Sequence, residues 1–189
     1  KATGDARMVA DYYATFMDEA GIEAKGLAPV KQELAKIDAI KDKAGLVRAL
    51  GASLRADVDA LNSTDFFTEN LFGLWVAQGL NEPSRNTPYL LQGGLGMPDR
   101  AYYLTQSERM AGLRTKYQQH IAQTLKLAGY SDAEARAAKV MALEMAIAQS
   151  HAPREESADV LKANNTWTMK DFAAKAPGMD WDAFFKAAR

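Results

Sequence analysis

The chain has 189 residues, 23 basic and 24 acidic, for a formal net charge of −1, with 48% apolar and 25% charged residues. That length and composition belong to a globular chain that buries a sizeable core without help from metal or disulfide, and they exclude wholesale disorder. The near-zero charge excludes a nucleic acid or an anionic membrane held by bulk electrostatics, and the absence of cysteine excludes a disulfide framework, a thiolate metal site and a cysteine nucleophile.

In chain order the first signal is helical. Met8, Val9, Tyr12, Tyr13, Phe16 and Met17 recur at three- and four-residue steps, which places them on one helix face, with Gly21 as the expected end. Leu27, Val30, Leu34 and Ile37 repeat the pattern, Pro29 being tolerable in a first turn. Leu46, Val47, Leu50 and Leu54 form a third stripe, and the short polar connections suggest antiparallel packing of the three helices.

From Asn62 to Leu104 the pattern changes. Phe66, Phe67, Leu71, Phe72, Leu74 and Trp75 fit a buried helix or a short strand pair, and periodicity does not separate the two. Asn81, Pro83, Ser84, Asn86 and Pro88 make a breaker-rich loop before the short, extended-looking run Tyr89–Leu91. Gly93, Gly94 and Gly96 then fall within four residues, a spacing that asks for backbone angles or close approaches a side chain would block. They are expected to fix a compact turn that delivers Pro98 and the Tyr102–Tyr103 pair to packed positions, with Arg100 reaching a carbonyl or carboxylate on a neighbouring helix.

The second half is helical again. Thr105 with Glu108, and Ser131 with Glu134, read as capping boxes. The first opens a helix of roughly 30 Å carrying Met110, Leu113, Tyr117, Ile121 and Leu125 and ending near Gly129. The second opens one carrying Val140, Met141, Glu144, Ile147 and Ala148. Thr168 with Asp171 starts a short helix, Pro177–Gly178 breaks it, and Asp180 caps another beginning at Trp181. The expected fold is all-α (mainly α): a single multi-helix domain over residues 1–189, loop-rich and with at most a few short strands around 62–104. No apolar run is long enough to span a membrane, and no signal peptide is visible. Lys1 in place of Met leads to the expectation of a fragment or processed product.

Chemistry is sparse. A helical zinc site of the His-Glu-x-x-His type needs two imidazoles one turn apart beside a general base. His120 and His151 are the only histidines, and neither begins that motif. Ser150 beside His151 gives no triad geometry. Asp57/Asp59, Asp65/Glu69, Glu155/Glu156 and Asp180/Asp182 are better read as solvated faces and caps than as acid–base pairs. The glycine loop lacks a following Lys-Ser/Thr and a βαβ context, so it is no phosphate cradle. The aromatic clusters at Phe66–Trp75 and Trp181–Phe185 lack the interleaved basic residues of a base-stacking surface and read as core.

The string Gly93-Gly94-Leu95-Gly96-Met97-Pro98-Asp99-Arg100-Ala101-Tyr102-Tyr103-Leu104 closely resembles the GGLGLPDRDYYL block of neprilysin-like (family M13) zinc metallopeptidases, departing at Met97 and Ala101. Other stretches fit in order: Tyr12–Ile22 resembles an early helix of that family, Met141–Ala148 its LE-x-x-IA helix, and Arg154-Glu155-Glu156 its RE element. Asn164-Asn165 with Thr168-Met169 resembles its YN-x-MT element, with Asn164 in place of the Tyr, and Asp180-Trp181 its DW pair.

The resemblance implies a parent chain of two mostly helical lobes enclosing a substrate chamber, the zinc motif and the downstream Glu ligand lying in the other, catalytic lobe. In that parent, zinc polarises a peptide carbonyl while a Glu activates water. This segment is then a wall of the chamber that selects peptides by size, with no catalytic or metal-binding position carried over to it. The resemblance also implies zinc in the parent and none on this segment, the catalytic lobe and peptide substrates as partners, no nucleic acid, and a periplasmic or extracellular location, the lack of cysteine being closer to bacterial members. The rival reading is a non-catalytic helical module that grips a protein or peptide. A standalone carboxylate enzyme ranks third.

Overall fold

The computed structural model describes residues 3–54 and 68–188. The chain divides into two compact units, Lys1–Lys41 and Asp42–Arg189.

The first unit holds α1 (Gly4–Phe16), α2 (Glu19–Lys25) and α3 (Lys31–Asp38). The apolar stripe lies on α1 as expected, but the helix stops at Phe16 rather than Gly21. The cause is Asp18, which caps a new helix by accepting from the Gly21 N–H at 3.0 Å, so Gly21 sits in the first turn of α2. Pro29 likewise lies outside a helix. Residues 26–30 are turns, with the N–H groups of Val30 and Lys31 both bonding to Leu27 O at 3.1 Å, and α3 begins only at Lys31. No residue of α1, α2 or α3 is buried; Tyr12 is 80% and Phe16 71% exposed. The third stripe, on α4 (Lys43–Ala52), belongs to the second unit and has a core beneath it.

The second unit is mainly α, as expected, around one hairpin. Asp42 caps α4 by accepting from Gly45 N at 2.6 Å, and Val47 and Leu54 are buried. Phe66 and Phe67, with Asp57, Asp59 and Asp65, lie outside the described residues. The part of the aromatic run that is described forms β1 (Phe72–Gln78), paired antiparallel with β2 (Asn86–Gln92) in the register Trp75↔Tyr89 and Val76↔Pro88. The flanking bonds Gly79 N→Arg85 O (2.8 Å) and Gly93 N→Leu71 O (3.1 Å) put Pro88 at a non-bonded position, so its missing N–H costs the ladder nothing. Trp75 stacks on Tyr89 across the strands at 5.3 Å, and the Tyr89 hydroxyl donates to Gln78 O at 2.8 Å.

After the glycine loop come α5 (Arg100–Leu104), α6 (Glu108–Leu127) and α7 (Ala133–Ser150), the short α8 (Arg154–Ser157) and α9 (Val160–Ala163), then α10 (Met169–Lys175) and α11 (Trp181–Ala187). Two expected caps are displaced. Thr105 closes α5, and Ser107 opens α6 by accepting from Met110 N at 3.3 Å. Asp132, not Ser131, stands at the head of α7, where its carboxylate pairs with Arg136 at 2.6 Å while Glu134 reaches Lys126. The Thr168–Asp171 pair makes a true capping box, and Asp180 caps α11 by accepting from Ala183 N at 3.0 Å.

Two cores result. Val47, Leu54, Leu74, Trp181 and Phe184 join α4, the hairpin and α11, with Phe172 of α10 against Trp181 at 4.7 Å. Leu95, Met97, Tyr103, Met141 and Ala148 join the glycine loop, α5 and α7, with Tyr117 and Ile121 of α6 packed on them.

Candidate functional site

The glycine loop leaves β2 at Gln92 and runs to α5. A Cβ on Gly93 would lie 2.3 Å from Asn70 O, so the loop and the foot of β1 approach too closely for any side chain. Gly94 has φ +81°, the left-handed region that favours glycine. From there the chain alternates, turning Leu95 and Met97 into the core and Gly96 and Pro98 outward. The expectation that Pro98 is packed is corrected by that alternation: Pro98 is exposed, and Met97 takes the buried place. Tyr103 is only 1% exposed and Tyr102 is half-buried, as the loop's geometry was expected to arrange. Asp99 caps α5, accepting from Ala101 N at 2.7 Å. Arg100 Nε donates to Ala148 O on α7 at 3.3 Å, a carbonyl on a neighbouring helix, though through one bond rather than a fork.

What holds the loop is a residue that the reading for chemistry passed over. Glu144 projects from the apolar face of α7 between two tyrosines. The Tyr103 hydroxyl donates to Glu144 Oε2, the Tyr117 hydroxyl to Oε1 at 3.1 Å, and Gly96 N to Oε2 at 3.4 Å. The Tyr103 oxygen in turn accepts from Met97 N at 3.0 Å. A Cβ on Gly96 would stand 1.8 Å from the Tyr117 oxygen, which is why the loop carries glycine at that point. Burial, then the bond to Glu144, raises the Tyr103 phenol well above its ordinary value; burial, then the Glu144 charge, pushes Tyr117 up to about 12. Both phenols therefore remain donors across the working range of a protein, and both carboxylate oxygens are spent on loop and core. This arrangement anchors; it does not offer Glu144 as a base to a substrate. The available signal was a carboxylate in an apolar stripe, Val140-Met141-x-x-Glu144-x-x-Ile147-Ala148, which calls for buried donors.

The remaining candidates do not converge. His151, at the end of α7, has its Nε2 3.0 Å from Gly93 O; burial lowers its pKa, the Gly93 bond opposes that shift, and the Arg100 charge adds to it. The Ser150 hydroxyl donates to Ile147 O at 2.7 Å instead of facing His151. His120, Glu69, Glu155, Glu156 and Asp182 are exposed, and Asp180 is a cap. Among the described residues no three His, Asp or Glu side chains come together to hold a metal ion, and with His151 committed to a carbonyl these residues do not fit a zinc site. No described helix is long and apolar enough to cross a membrane.

Comparison with known proteins gives this geometry a setting. The chain is 25% identical over 176 residues to endothelin-converting enzyme 1 of Cavia porcellus, covering 92% of this chain and 23% of that protein. Against the human enzyme it is 29% identical over 120 residues, 62% of this chain and 16% of that one. The zinc metalloprotease Zmp1 of Mycobacterium tuberculosis in its open state superposes with a TM-score of 0.77 at 28% identity, covering 99% of this chain and 28% of Zmp1. Its inhibitor complex gives 0.76 at 27% identity, with 99% and 27% covered. The chain thus spans about a quarter of the length of these relatives. The model of the N-terminal region of peptidase family M13 matches residues 1–189, the whole chain, which belongs to peptidase family M13.

Proposed function

We propose that this chain is part of a zinc metalloendopeptidase that hydrolyses peptides, and that it forms a wall of the substrate chamber closed by a separate catalytic lobe. The observation that carries this reading is the match of the N-terminal M13 model to all 189 residues, in a chain whose described histidines and carboxylates do not fit zinc. Metal chemistry then comes from the remaining length that the relatives possess. What these residues contribute is shape. The loop 95–97 is fixed on α6 and α7 through Glu144, Tyr103 and Tyr117, which gives the wall a rigid, preorganised edge. We place the parent in the periplasm or outside the cell, which the family resemblance supports.

The test uses the full-length parent and internally quenched peptides of increasing length. Cleavage that is lost on chelation, restored by zinc, and falls steeply with substrate size supports the reading. The chain alone should cleave nothing and retain no stoichiometric zinc after dialysis. A zinc-independent parent, or one that digests folded proteins as readily as short peptides, overturns it.

A further inference from the structure

We infer that residues 92–94 and 151–153 form a polar joint between the two cores of the Asp42–Arg189 unit, whose hydrogen bonds hold the hairpin half in place and about which that half turns against the α6–α7 half once they are broken. The principal packing between elements stays within each half: β1 with β2, α4 with α11 and α10 with α11 on one side, and α5, α6 and α7 with one another on the other. The buried clusters follow the same division. The chain passes from one half to the other at Gly93–Gly94 and leaves the second again after His151.

These two crossings lie side by side and are stapled by hydrogen bonds. Gln92 Nε2 donates to Ala152 O at 3.1 Å, and Ala152 N donates back to Gln92 Oε1 at 3.0 Å. His151 Nε2 lies 3.0 Å from Gly93 O and, facing a carbonyl, must be the donor. Gln92 is the last residue of β2 and His151 the C-cap of α7, so both sit where element ends absorb a change of backbone angle. Gly94, already at positive φ, supplies the adaptable backbone, and Leu71 and Ile147 flank it as an apolar seat for the pivot. Gln92 is exposed, so water competes for its bonds directly, which it does not do for the buried side chains of either core.

The test is a distance measurement in the full-length parent with any other cysteines replaced by serine, this chain having none. Nitroxide labels on Gln78→Cys and Gln123→Cys, both exposed positions, report the separation of hairpin and α6 by pulsed electron resonance. The unsubstituted joint should give one narrow distance population. Gln92→Ala with His151→Ala should broaden or shift it by several ångströms at unchanged helical circular dichroism, and His151→Gln, which keeps a donor, should stay narrow. An unchanged distribution in the double variant overturns the joint, and so does cooperative loss of helix, because the staples then belong to one core. Hydrogen exchange in the unsubstituted parent gives a second reading. The amide of Ala152, which donates to Gln92 Oε1, should exchange at least about a hundredfold faster than those of Trp75, in the β1–β2 ladder, and Met141. Equal protection refutes the joint without any substitution.

Discussion

The two cores of the second unit are built by different physics. Around Trp181, five rings from Phe72, Phe172, Trp181, Phe184 and Phe185 meet at centroid distances of 4.7–5.9 Å, with tilted, edge-on and stacked pairs mixed together. One polar atom among them is tied off, Trp181 Nε1 on Ala176 O at 2.7 Å. Around Glu144 the decisive contacts are hydrogen bonds from two hydroxyls and a backbone N–H. The apolar burial behind ring packing is largely non-directional and spread over many atoms; a carboxylate anchor fixes one geometry and fails if a single oxygen is lost. The contrast explains why the loop that the family resemblance singles out is attached to the second core. Its conformation has to be one shape, and directional bonds select shape better than area does.

Removing a ring should give the largest effect. Phe184 is 1% exposed, and Phe184→Ala in the full-length parent should cost about 3–5 kcal/mol in urea unfolding. A loss below about 1 kcal/mol would show that the ring cluster is looser than its geometry implies. Glu144→Ala is next. It strands the two phenols and Gly96 N, and about 2–3 kcal/mol should be lost, since bonds to a charged acceptor are the costly ones. If Glu144→Ala proves as mild as a surface change, the proposed contrast between the cores collapses.

Gly94→Ala should cost on the order of 1 kcal/mol or more from its positive φ, with Leu71 also 3.3 Å from the new methyl group. Gly94→Ala and Arg100→Ala should lower Tm while leaving kcat/KM per folded molecule nearly unchanged. A tenfold fall at constant Tm would place the loop in contact with substrate instead.

The smallest effect is one of pH. Tyr103 and Tyr117 hold their protons more tightly folded than unfolded, so their contribution is complete below about pH 10, the ordinary phenol value, and falls as pH rises through about 12 for Tyr117. Urea midpoints should therefore decline above pH 10, and Tyr117→Phe should flatten that decline. The ring-packed core contributes no such slope.

Much of this was legible in advance, and the failures have physical causes. Long stripes such as Met110–Leu125 predict the helix correctly because periodicity over sixteen residues averages out local exceptions. The glycine triplet was correctly read as tight backbone, with Gly94 at positive φ and Gly93 and Gly96 at close approach. Caps were read less well. Thr105 and Ser131 match a capping pattern, yet Ser107 and Asp132 hold the positions, because several short polar residues lay within one turn and only tertiary placement chooses among them. Helix ends such as Phe16 moved for a similar reason, Asp18 starting a new helix where Gly21 suggested an end. Glu144 was placed on the correct face, but its partners Tyr103 and Tyr117 lie 41 and 27 residues away, and no local pattern carries that information.

Pro88 has a consequence beyond the hairpin. Its nitrogen belongs to the side of β2 that faces away from β1, the side where an intruding strand from another molecule would look for a donor. The proline leaves a gap midway along that seven-residue edge, a gatekeeper against edge-to-edge polymerisation that the antiparallel pair itself never notices.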